Sequence, residues 1–401
     1  MLRVSFGTLG RATAFHLNSD SQIRAMTQAM SSRAPQVREA RFSDHSEVVD
    51  IALKFDLYLE DYADWAHLWI DNPTYRELGG KIPIGWVLES AEGRLAGYLG
   101  NVPLSYELNG QRVMAAATRS WVVDRSHRGY SLMLLSPYYQ QSQVDLYLGT
   151  SVNIHSAVAT DIFRNVRVPV GAWDRTLFWI THPRGFAESY CRKRGWVSAK
   201  FLAHAMSLGF SVYDRSRNGR FRKMAGQLPL DSAEAFDDRF DAFWAALRKK
   251  KSGVLLGIRD RETLDWHFKI PLQKKNAWIY GLKGDCGLAG YAVFLRQDRR
   301  QVGLSCVSLA DFQCLEPEKT GAFFLTAVHA ALQRCREESI HMLELIGLPP
   351  ALEKIAEQLS PYHRQLPNWT YFYRTNNPAL AEILKSPEVW EPSLFDGDSS
   401  L

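Results

Sequence analysis

The feature that most constrains the fold of this chain is an order of secondary-structure signals that occurs twice. The segments GRLAGYLGNVPL at 93–104 and CGLAGYAVFLRQ at 286–297 share Leu-Ala-Gly-Tyr after a glycine typical of a turn. In both places the sequence predicts a hairpin, a strand ending in aspartate, a helix, an apolar strand ending in glycine, and a further helix. We therefore predict an internal duplication of one α/β unit of about 150 residues.

The elements of the two copies can be placed along the chain. In the first copy we predict a turn at Asn109-Gly110, a strand from Val113 to Asp124, a helix ending near Gln141 and a buried strand at 144–150. In the second copy we predict a strand ending at Asp311, a helix at 319–336 and a strand at 341–347.

A composition of 46% hydrophobic and 23% charged residues is typical of globular chains, and the length of 401 residues suggests two domains. We expect a flexible N-terminal arm at 1–34, a first unit at 35–180, a linker at 181–230 and a second unit at 231–401. The arm is rich in Ser, Thr and Arg and has one acid, Asp20. We expect the true start at Met26 or Met30, with a transit peptide as the alternative.

Cysteines and charge limit the class of function. The five cysteines are odd in number and show no C-x-x-C spacing, so we expect no disulfide framework, no metal site and a cytoplasmic location. The net charge of +5 permits an anionic small molecule. The basic segment RSRNGRFRK at 215–223 has two readings, a solvated hairpin with a turn at Asn218-Gly219 or a contact for an anionic partner.

The segment SWVVDRSHRGYSLMLL at 120–135 predicts an anion site. A strand leads through a short basic turn into a helix, whose first N–H groups lack partners and carry partial positive charge. Gly129 would allow close approach of the backbone, and Arg125, His127 and Arg128 would add to the field. Pro137 predicts that this helix is short or kinked, or that a new helix begins at Ser136-Pro137.

With this turn and the repeated order, the chain resembles the GNAT superfamily of N-acyltransferases in both halves, over most of residues 36–375. The resemblance implies an α/β (α+β) fold of two tandem GNAT-like domains, each with a mixed, largely antiparallel sheet flanked by helices. It implies acetyl-CoA or another acyl-CoA as co-substrate and no metal. The residues it places at the cofactor are Trp121, Val122, Val123, Arg128, Gly129, Tyr130, Ser131, Leu132 and Asn153.

The sequence departs from the family pattern at several of these positions. Ser131 and Met133 stand where the family prefers Gly or Ala, and Thr160 stands where many members carry a tyrosine acid. Asn153 has an alternative role as a helix cap. The candidates for a general base near strand ends are Glu89, Asp124, His155 and Asp161.

The second half lacks the Arg-Gly turn. Glu316 and Glu318 would repel a pyrophosphate there, and we expect Thr320 to cap the helix. We therefore expect this half to have lost cofactor binding and to shape the acceptor cleft. At the C-terminal end, Trp390 and Phe395 either anchor an acidic tail onto the body or belong to a frayed end.

Three functional hypotheses follow. In the first, similar to mycothiol synthase-type enzymes, the chain is a cytoplasmic acyl-CoA-dependent acyltransferase, with an amine or hydroxyl of a small metabolite or polysaccharide precursor as acceptor. In the second, similar to Fem-type transferases, the donor is aminoacyl-tRNA, and only then is nucleic acid a partner. In the third, the chain is a non-catalytic GNAT-like ligand-binding module. None of them includes a membrane span.

Overall fold

The computed structural model describes residues 34–401, apart from 56, 58, 153–156, 172, 197–199, 225–227, 286 and 367–368. Nearly all of the expected N-terminal arm, together with Asn153 and His155, therefore lies outside the described residues. The described chain forms two mixed β-sheets with helices packed on their faces, as the sequence predicts.

The strands and helices that the sequence predicts for the two copies are present close to the predicted positions. The strands are β1 Gln36–Glu39, β2 Gly85–Glu89, β3 Leu95–Leu108, β4 Gln111–Val123, β5 Leu146–Val152, β6 Val166–Arg167, β7 Arg175–Ile180, β8 Leu230–Ala233, β9 Leu256–Gly257, β10 Ala277–Gly284, β11 Gly287–Arg296, β12 Cys306–Cys314, β13 Met342–Ile346, β14 Tyr362–Gln365 and β15 Thr370–Thr375. The helices are α1 His45–Leu53, α2 Tyr62–Ile70, α3 Pro73–Glu77, α4 Ser131–Tyr138, α5 Ala157–Ile162, α6 Pro183–Lys193, α7 Lys200–Met224, α8 Asp238–Lys250, α9 Arg261–Gln273, α10 Pro317–Glu337, α11 Pro350–Leu359 and α12 Pro378–Ile383.

The two sheets have the same topology. The first has the order β1-β2-β3-β4-β5-β15-β6, and the second, written from the equivalent edge, has the order β8-β10-β11-β12-β13-β7-β14. Within these orders the described neighbours are antiparallel except for one central pair in each sheet, β4 with β5 and β12 with β13. The Leu-Ala-Gly-Tyr segments lie on the equivalent strands β3 and β11, and Tyr98 and Tyr291 are both buried. The duplication predicted from the sequence is thus present in the fold.

The two halves exchange one strand. β7, from the first half, pairs with β13 and β14 in the second sheet, whereas β15, from the second half, pairs with β5 and β6 in the first. The exchange gives the edges of β5 and β13 a hydrogen-bonded partner from the other half. As a consequence, the predicted segments 35–180 and 231–401 do not coincide with the two sheets.

Helices cover both faces of each sheet. Apolar side chains of α1 and α2, including Ile51, Trp65 and Trp69, pack on one face of the first sheet, and Leu134, Leu135 and Tyr138 of α4 belong to the cluster that includes its other face. In the second sheet, α8 and α9 contribute to one cluster and α10 to the other. None of the described helices is long and apolar enough to cross a membrane.

The halves are joined by buried contacts between α2 and α9. The Nε2 atom of His67 lies 2.8 Å from the carbonyl oxygen of Trp266, and the indole N–H of Trp266 donates to the carbonyl oxygen of His67 at 3.2 Å. Both side chains are buried. The short strand β9 adds a second connection by pairing with β3 of the first sheet.

The basic segment at 215–223 is not a hairpin. It lies within the 25-residue helix α7. An Asn-Gly pair forms a hairpin turn where its flanking residues can pair as strands. Here Ala203, Met206 and Phe210 recur at helical spacing and pack on α6, and the same helix continues through Asn218-Gly219.

Two further predictions about the second half need correction. The strand predicted to end at Asp311 continues to Cys314, because the Asp311 carboxylate accepts hydrogen bonds from Arg259 at 2.9 Å and Tyr291 at 2.7 Å and is tolerated inside the strand. Thr320 does not cap α10. Glu316 holds the N-cap position, and the Thr320 hydroxyl donates to the Glu316 carbonyl oxygen at 3.0 Å from within the first turn.

Candidate functional site

The candidate site begins where β4 and β5 separate. Their parallel ladder joins only Ala115–Ala117 to Leu146–Leu148. Beyond it, β4 pairs with β3 through Thr118, Arg119, Val122 and Val123, and β5 pairs with β15 through Gly149 and Val152. Among the described residues no ladder pair joins the two facing edges, so main-chain polar groups of both strands face a wedge-shaped gap.

Helix α4 closes the narrow end of the gap. The buried hydroxyl of Tyr138 donates to the carbonyl oxygen of Ala116 at 2.7 Å and lies 3.5 Å from that of Leu148. Tyr138 is the last residue of α4, so the first residue of the helix, Ser131, lies toward the open end. Helix α4 is only eight residues long and ends one residue after Pro137, and Ser136-Pro137 does not begin a new helix.

A β-bulge lies in β4 beside the gap. Tyr98 pairs with Val122 and Gly100 with Arg119, so two residues of β4, Ser120 and Trp121, oppose one residue of β3. Ser120 has a φ of 54°, which is uncommon for a residue other than glycine. A bulge of this kind leaves the local peptide groups outside the ladder and changes the direction in which their N–H and C=O groups point.

The turn at the open end is a 3-10 helix over Arg125–Tyr130 that runs directly into α4. Among the described residues neither Arg125 nor Arg128 has an ion-pair partner, and both are exposed. A Cβ added to Gly129 would meet no atom within 4 Å. Tyr130 is also exposed, and its ring lies beside that of His127. The turn is therefore an open surface carrying two unpaired guanidinium groups.

The other predicted cofactor-contacting residues follow the strand and the helix. Val122 and Val123 are buried, whereas Trp121 is partly buried, with an indole nitrogen that has no hydrogen-bond partner among the described residues. Ser131 and Leu132 are half-buried in the first turn of α4. Met133, which replaces a small residue of the family pattern, is exposed.

Two of the proposed bases are held by cations. Asp124 is the N-cap of the 3-10 helix; it accepts from the Arg125 N–H at 3.1 Å and pairs with Lys54 at 2.7 Å, and the hydrogen bond from Lys54 lowers its pKa. Glu89, at the end of β2, pairs with Arg38 at 2.9 Å. Asp161 is exposed on α5. Asp124 and Glu89 thus already have structural partners, while His155 lies outside the described residues.

Sequence reasoning missed Arg119, which holds the C-terminal segment across the gap. Its Nη1 group donates to the carbonyl oxygen of Leu401 at 2.8 Å, and its Nη2 group donates to Glu60 Oε1 at 2.9 Å. On β5, the hydroxyl of Thr150 donates to Asp398 at 2.6 Å. An arginine inside a predicted strand was the signal in the sequence that a partner is needed, although it does not identify that partner.

Of the two alternatives for the acidic tail, the structure shows the anchored one, because Trp390, Phe395 and Asp396 are all buried. The tail reaches a cavity of about 150 Å³ between the two halves, lined among others by Glu60, Arg119, Lys274 and His267. Burial lowers the pKa of His267 to about 3. This side chain is therefore a neutral imidazole near pH 7.

The imidazole of His267 has a defined tautomer. Its Nε2 atom lies 2.7 Å from the Ser400 hydroxyl oxygen, and that hydroxyl donates its own hydrogen to the Leu394 carbonyl oxygen at 2.7 Å. Ser400 must therefore accept from His267, which places the imidazole hydrogen on Nε2. The tail is thereby fixed to α9 as well as to β4 and β5.

The second sheet contains the equivalent gap but not the equivalent turn. β12 and β13 pair only over Cys306–Ser308 and Met342–Glu344, and beyond them lies a cavity of about 430 Å³ partly covered by tail residues 391–394. At the start of α10, Glu316 pairs with Lys319 at 2.5 Å. This end of the second gap therefore carries a carboxylate, whereas the equivalent end of the gap between β4 and β5 carries arginines. The loss of cofactor binding in the second half stays a prediction.

Comparison with known proteins identifies the fold. No protein-family model matches the sequence, and no curated protein matches it significantly. The chain is similar in structure to N-myristoyltransferase of Saccharomyces cerevisiae with bound myristoyl-CoA, with a TM-score of 0.51, 11% identity, and coverage of 86% of this chain and 86% of that one. It is also similar to a GCN5-related N-acetyltransferase from Kribbella flavida, with a TM-score of 0.51, 11% identity, and coverage of 86% and 72% respectively. The chain has the tandem GNAT fold, which confirms the fold that the resemblance implied.

Proposed function

We propose that this chain is an acyl-CoA-dependent acyltransferase that transfers an acyl group to an amine or hydroxyl of a small metabolite or polysaccharide precursor. The observation that carries the proposal is the divergence of β4 from β5 beside an open turn with unpaired arginines. The yeast structure of the same fold contains myristoyl-CoA, which supports the same class of co-substrate here.

The described residues fit an acyl-CoA. The free edges of β4 at Trp121–Val123 and of β5 would hydrogen-bond the amides of a pantetheine arm. Arg128 and the start of α4 would bind the pyrophosphate, with Gly129 leaving room for its approach and the Ser131 hydroxyl able to donate. Tyr130 and Leu132 would border this site, and Asn153 remains a proposed contact to the arm.

A bound acyl-CoA supplies an activated thioester and a thiolate leaving group. An N–H of the bulge at Ser120–Trp121 would donate to the thioester oxygen as negative charge develops there. An ammonium acceptor must first lose a proton, and His155 and Asp161 remain proposed bases. Asp124 and Glu89 also remain candidates for the base. The pairing of Asp124 with Lys54 favours a role in positioning the turn, and the pairing of Glu89 with Arg38 favours a role in positioning the sheet edge.

Glu60 is a further candidate to bind the acceptor. Its carboxylate contacts Arg119, the residue that immediately precedes the bulge, and it lines the cavity between the halves. One of its oxygens, Oε2, is buried without a hydrogen-bond partner among the described residues. An acceptor amine bound in this cavity would donate a hydrogen bond to Glu60 Oε2. It would lie on the side of β4 from which the Arg119 side chain extends.

Calorimetric titration with coenzyme A and acetyl-CoA tests the proposal. We expect the wild type to bind, and Arg128→Glu to lose most of this affinity because a carboxylate then faces the pyrophosphate. Lys81→Glu, which makes the same charge change at an exposed lysine, is the control and should bind as the wild type does. A thiol-release assay with a panel of amines then tests turnover.

Two results would overturn the assignment. If the wild type bound neither coenzyme A nor acetyl-CoA at millimolar concentrations, the gap between β4 and β5 would not be a cofactor site. If Arg128→Glu bound as tightly as Lys81→Glu, the basic turn would not be the place where the pyrophosphate lies. Binding without thiol release from any amine or hydroxyl acceptor would leave a ligand-binding module and contradict the transferase.

A further inference from the structure

Helices α6 and α7 carry a concentration of positive charge. Between residues 183 and 224 there are ten Lys and Arg residues against two acids, a net charge of +8. The whole chain has a net charge of only +5, so the rest of the chain is negative by three. Five of the ten basic residues lie at 215–223, within the last three turns of α7.

Helix α7 also exposes an apolar stripe. Phe201, Leu208 and Val212 follow one another at i, i+7 and i+11 and therefore lie on one face over about 16 Å. Their exposed fractions are 94%, 57% and 71%. Exposure of this size is unusual for three large apolar residues in succession on one helix face.

This stripe does not serve the packing of the helix. The opposite face, with Ala203, Met206 and Phe210, packs against Ala187 and Cys191 of α6. The helix therefore has two apolar faces, of which one is buried within the protein and the other is in solvent. Replacement of the exposed stripe should leave the fold intact.

Exposed aromatic residues flank the stripe. Trp196 precedes α7 and is exposed. Tyr213 follows Val212 directly and is also exposed in part, while its ring packs on Tyr362 with the centroids 5.6 Å apart. Tryptophan and tyrosine side chains favour the boundary between water and hydrocarbon, because each combines an apolar ring with a polar group. The order along the helix is thus an aromatic residue, an apolar stripe, a second aromatic residue and then the basic segment.

We propose that helix α7 binds the surface of an anionic lipid membrane, with Phe201, Leu208 and Val212 inserted among the headgroups and the basic segment 215–223 against lipid phosphates. Apolar burial and electrostatic attraction act together in such interfacial helices. A nucleic acid would account for the basic residues but would leave the stripe in water. A second copy of this chain would cover the stripe but would bring two regions of +8 together.

Flotation of the full chain with lipid vesicles tests this proposal. We expect binding to vesicles that contain phosphatidylglycerol, weak binding to pure phosphatidylcholine, and a loss of binding as salt is raised. The triple variant Phe201→Ser/Leu208→Ser/Val212→Ser should bind at least about tenfold more weakly, since removal of even one inserted apolar side chain has an effect of this order. Arg220→Glu/Arg222→Glu should weaken binding comparably.

A matched control replaces exposed apolar residues elsewhere. The control variant is Leu53→Ser/Ile70→Ser/Ile383→Ser. It should bind anionic vesicles as the wild type does. Circular dichroism and the coenzyme A titration should be unchanged in the α7 variants, so a failure here is distinguishable from a failure of the proposed function.

Four outcomes would overturn the proposal. They are no binding of the wild type to anionic vesicles, equal binding to neutral and anionic vesicles, unchanged binding of the stripe variant, and sedimentation of the wild type as a dimer that the stripe variant abolishes. Binding to RNA that the stripe variant retains, together with no vesicle binding, would assign the basic segment to nucleic acid instead.

Discussion

Arg119, in the middle of β4, donates a hydrogen bond from its guanidinium to the main-chain carbonyl oxygen of Leu401 at 2.8 Å. The two residues are 282 positions apart in the chain. Because Arg119 directly precedes the bulge, this contact places the C-terminal segment beside the main-chain groups that would face a thioester. The tail is therefore part of the wall of the candidate site.

Loss of the Arg119 side chain should destabilise the protein and make the C-terminal segment more mobile. Arg119→Ala leaves Glu60 and the tail carbonyl groups without their donor, and we expect the free energy of unfolding to fall by about 2–3 kcal/mol. Urea titration measures this loss, and hydrogen exchange should show faster exchange in residues 396–401. Arg94→Ala, at an exposed arginine without an ion pair among the described residues, is the control. Unchanged exchange of the tail would contradict the contact.

The packing of the C-terminal segment against β5 can be tested by a substitution at Gly397. Its φ is +80°, and a Cβ there would overlap Cγ2 of Thr150. Gly110 has a φ of +72° but open space around it. Gly110→Ala should cost about 1 kcal/mol from backbone strain alone, and Gly397→Ala about 2 kcal/mol more from the added overlap. Equal losses in thermal or urea unfolding would show that the tail does not pack tightly on Thr150.

The stability of the protein should depend on His267 below neutral pH. The folded-state pKa is about 3, and the unfolded value is about 6.5, so between these values the unfolded chain binds one more proton. The free energy of unfolding should therefore fall as pH falls, by up to about 1.4 kcal/mol per pH unit. His267→Gln keeps a donor for Ser400 but does not titrate.

Urea unfolding at a series of pH values measures this dependence. The stability advantage of the wild type over His267→Gln should shrink by about 3 kcal/mol between pH 7 and pH 4. Parallel curves for the two proteins would mean that His267 is not buried as a neutral imidazole.

Gly129 should matter for the ligand and not for the fold. Gly129→Ala adds a methyl group where nothing lies within 4 Å, so the free energy of unfolding should change by less than about 0.5 kcal/mol. If the pyrophosphate binds over this turn, affinity for coenzyme A should fall by about tenfold. Gly253→Ala, in equally open space, should affect neither quantity. Equal affinities in the two variants would place the ligand elsewhere.

The sequence predicted the duplication because its signals are local. The hairpin turn, the shared Leu-Ala-Gly-Tyr segments of β3 and β11 and the helical spacing in α10 each lie within about 20 residues. It could not predict the strand exchange, because the aromatic and apolar residues of β7 and β15 favour a strand but do not determine which sheet that strand joins. In α7, the local Asn218-Gly219 signal predicted a turn where the structure has a continuous helix.

The residues of the candidate site also differ in whether a local sequence pattern could predict their roles. The turn at Arg128-Gly129 is contiguous in the chain, and its position at the end of a strand could be predicted. Arg119 and Glu60 could not be assigned, because their roles depend on the tail, which reaches them only in the folded chain. A pattern within a window of a few residues can indicate that Arg119 needs a partner but not which distant residue supplies it.

The exchange of β7 and β15 has a consequence for biosynthesis. When a ribosome has made the first half, β5 still lacks its antiparallel neighbour, which is encoded at 370–375. The nascent half therefore exposes an open sheet edge until nearly the whole polypeptide has emerged, and such edges are where chains pair wrongly with one another. Neither half is a complete domain on its own, and the two must mature together.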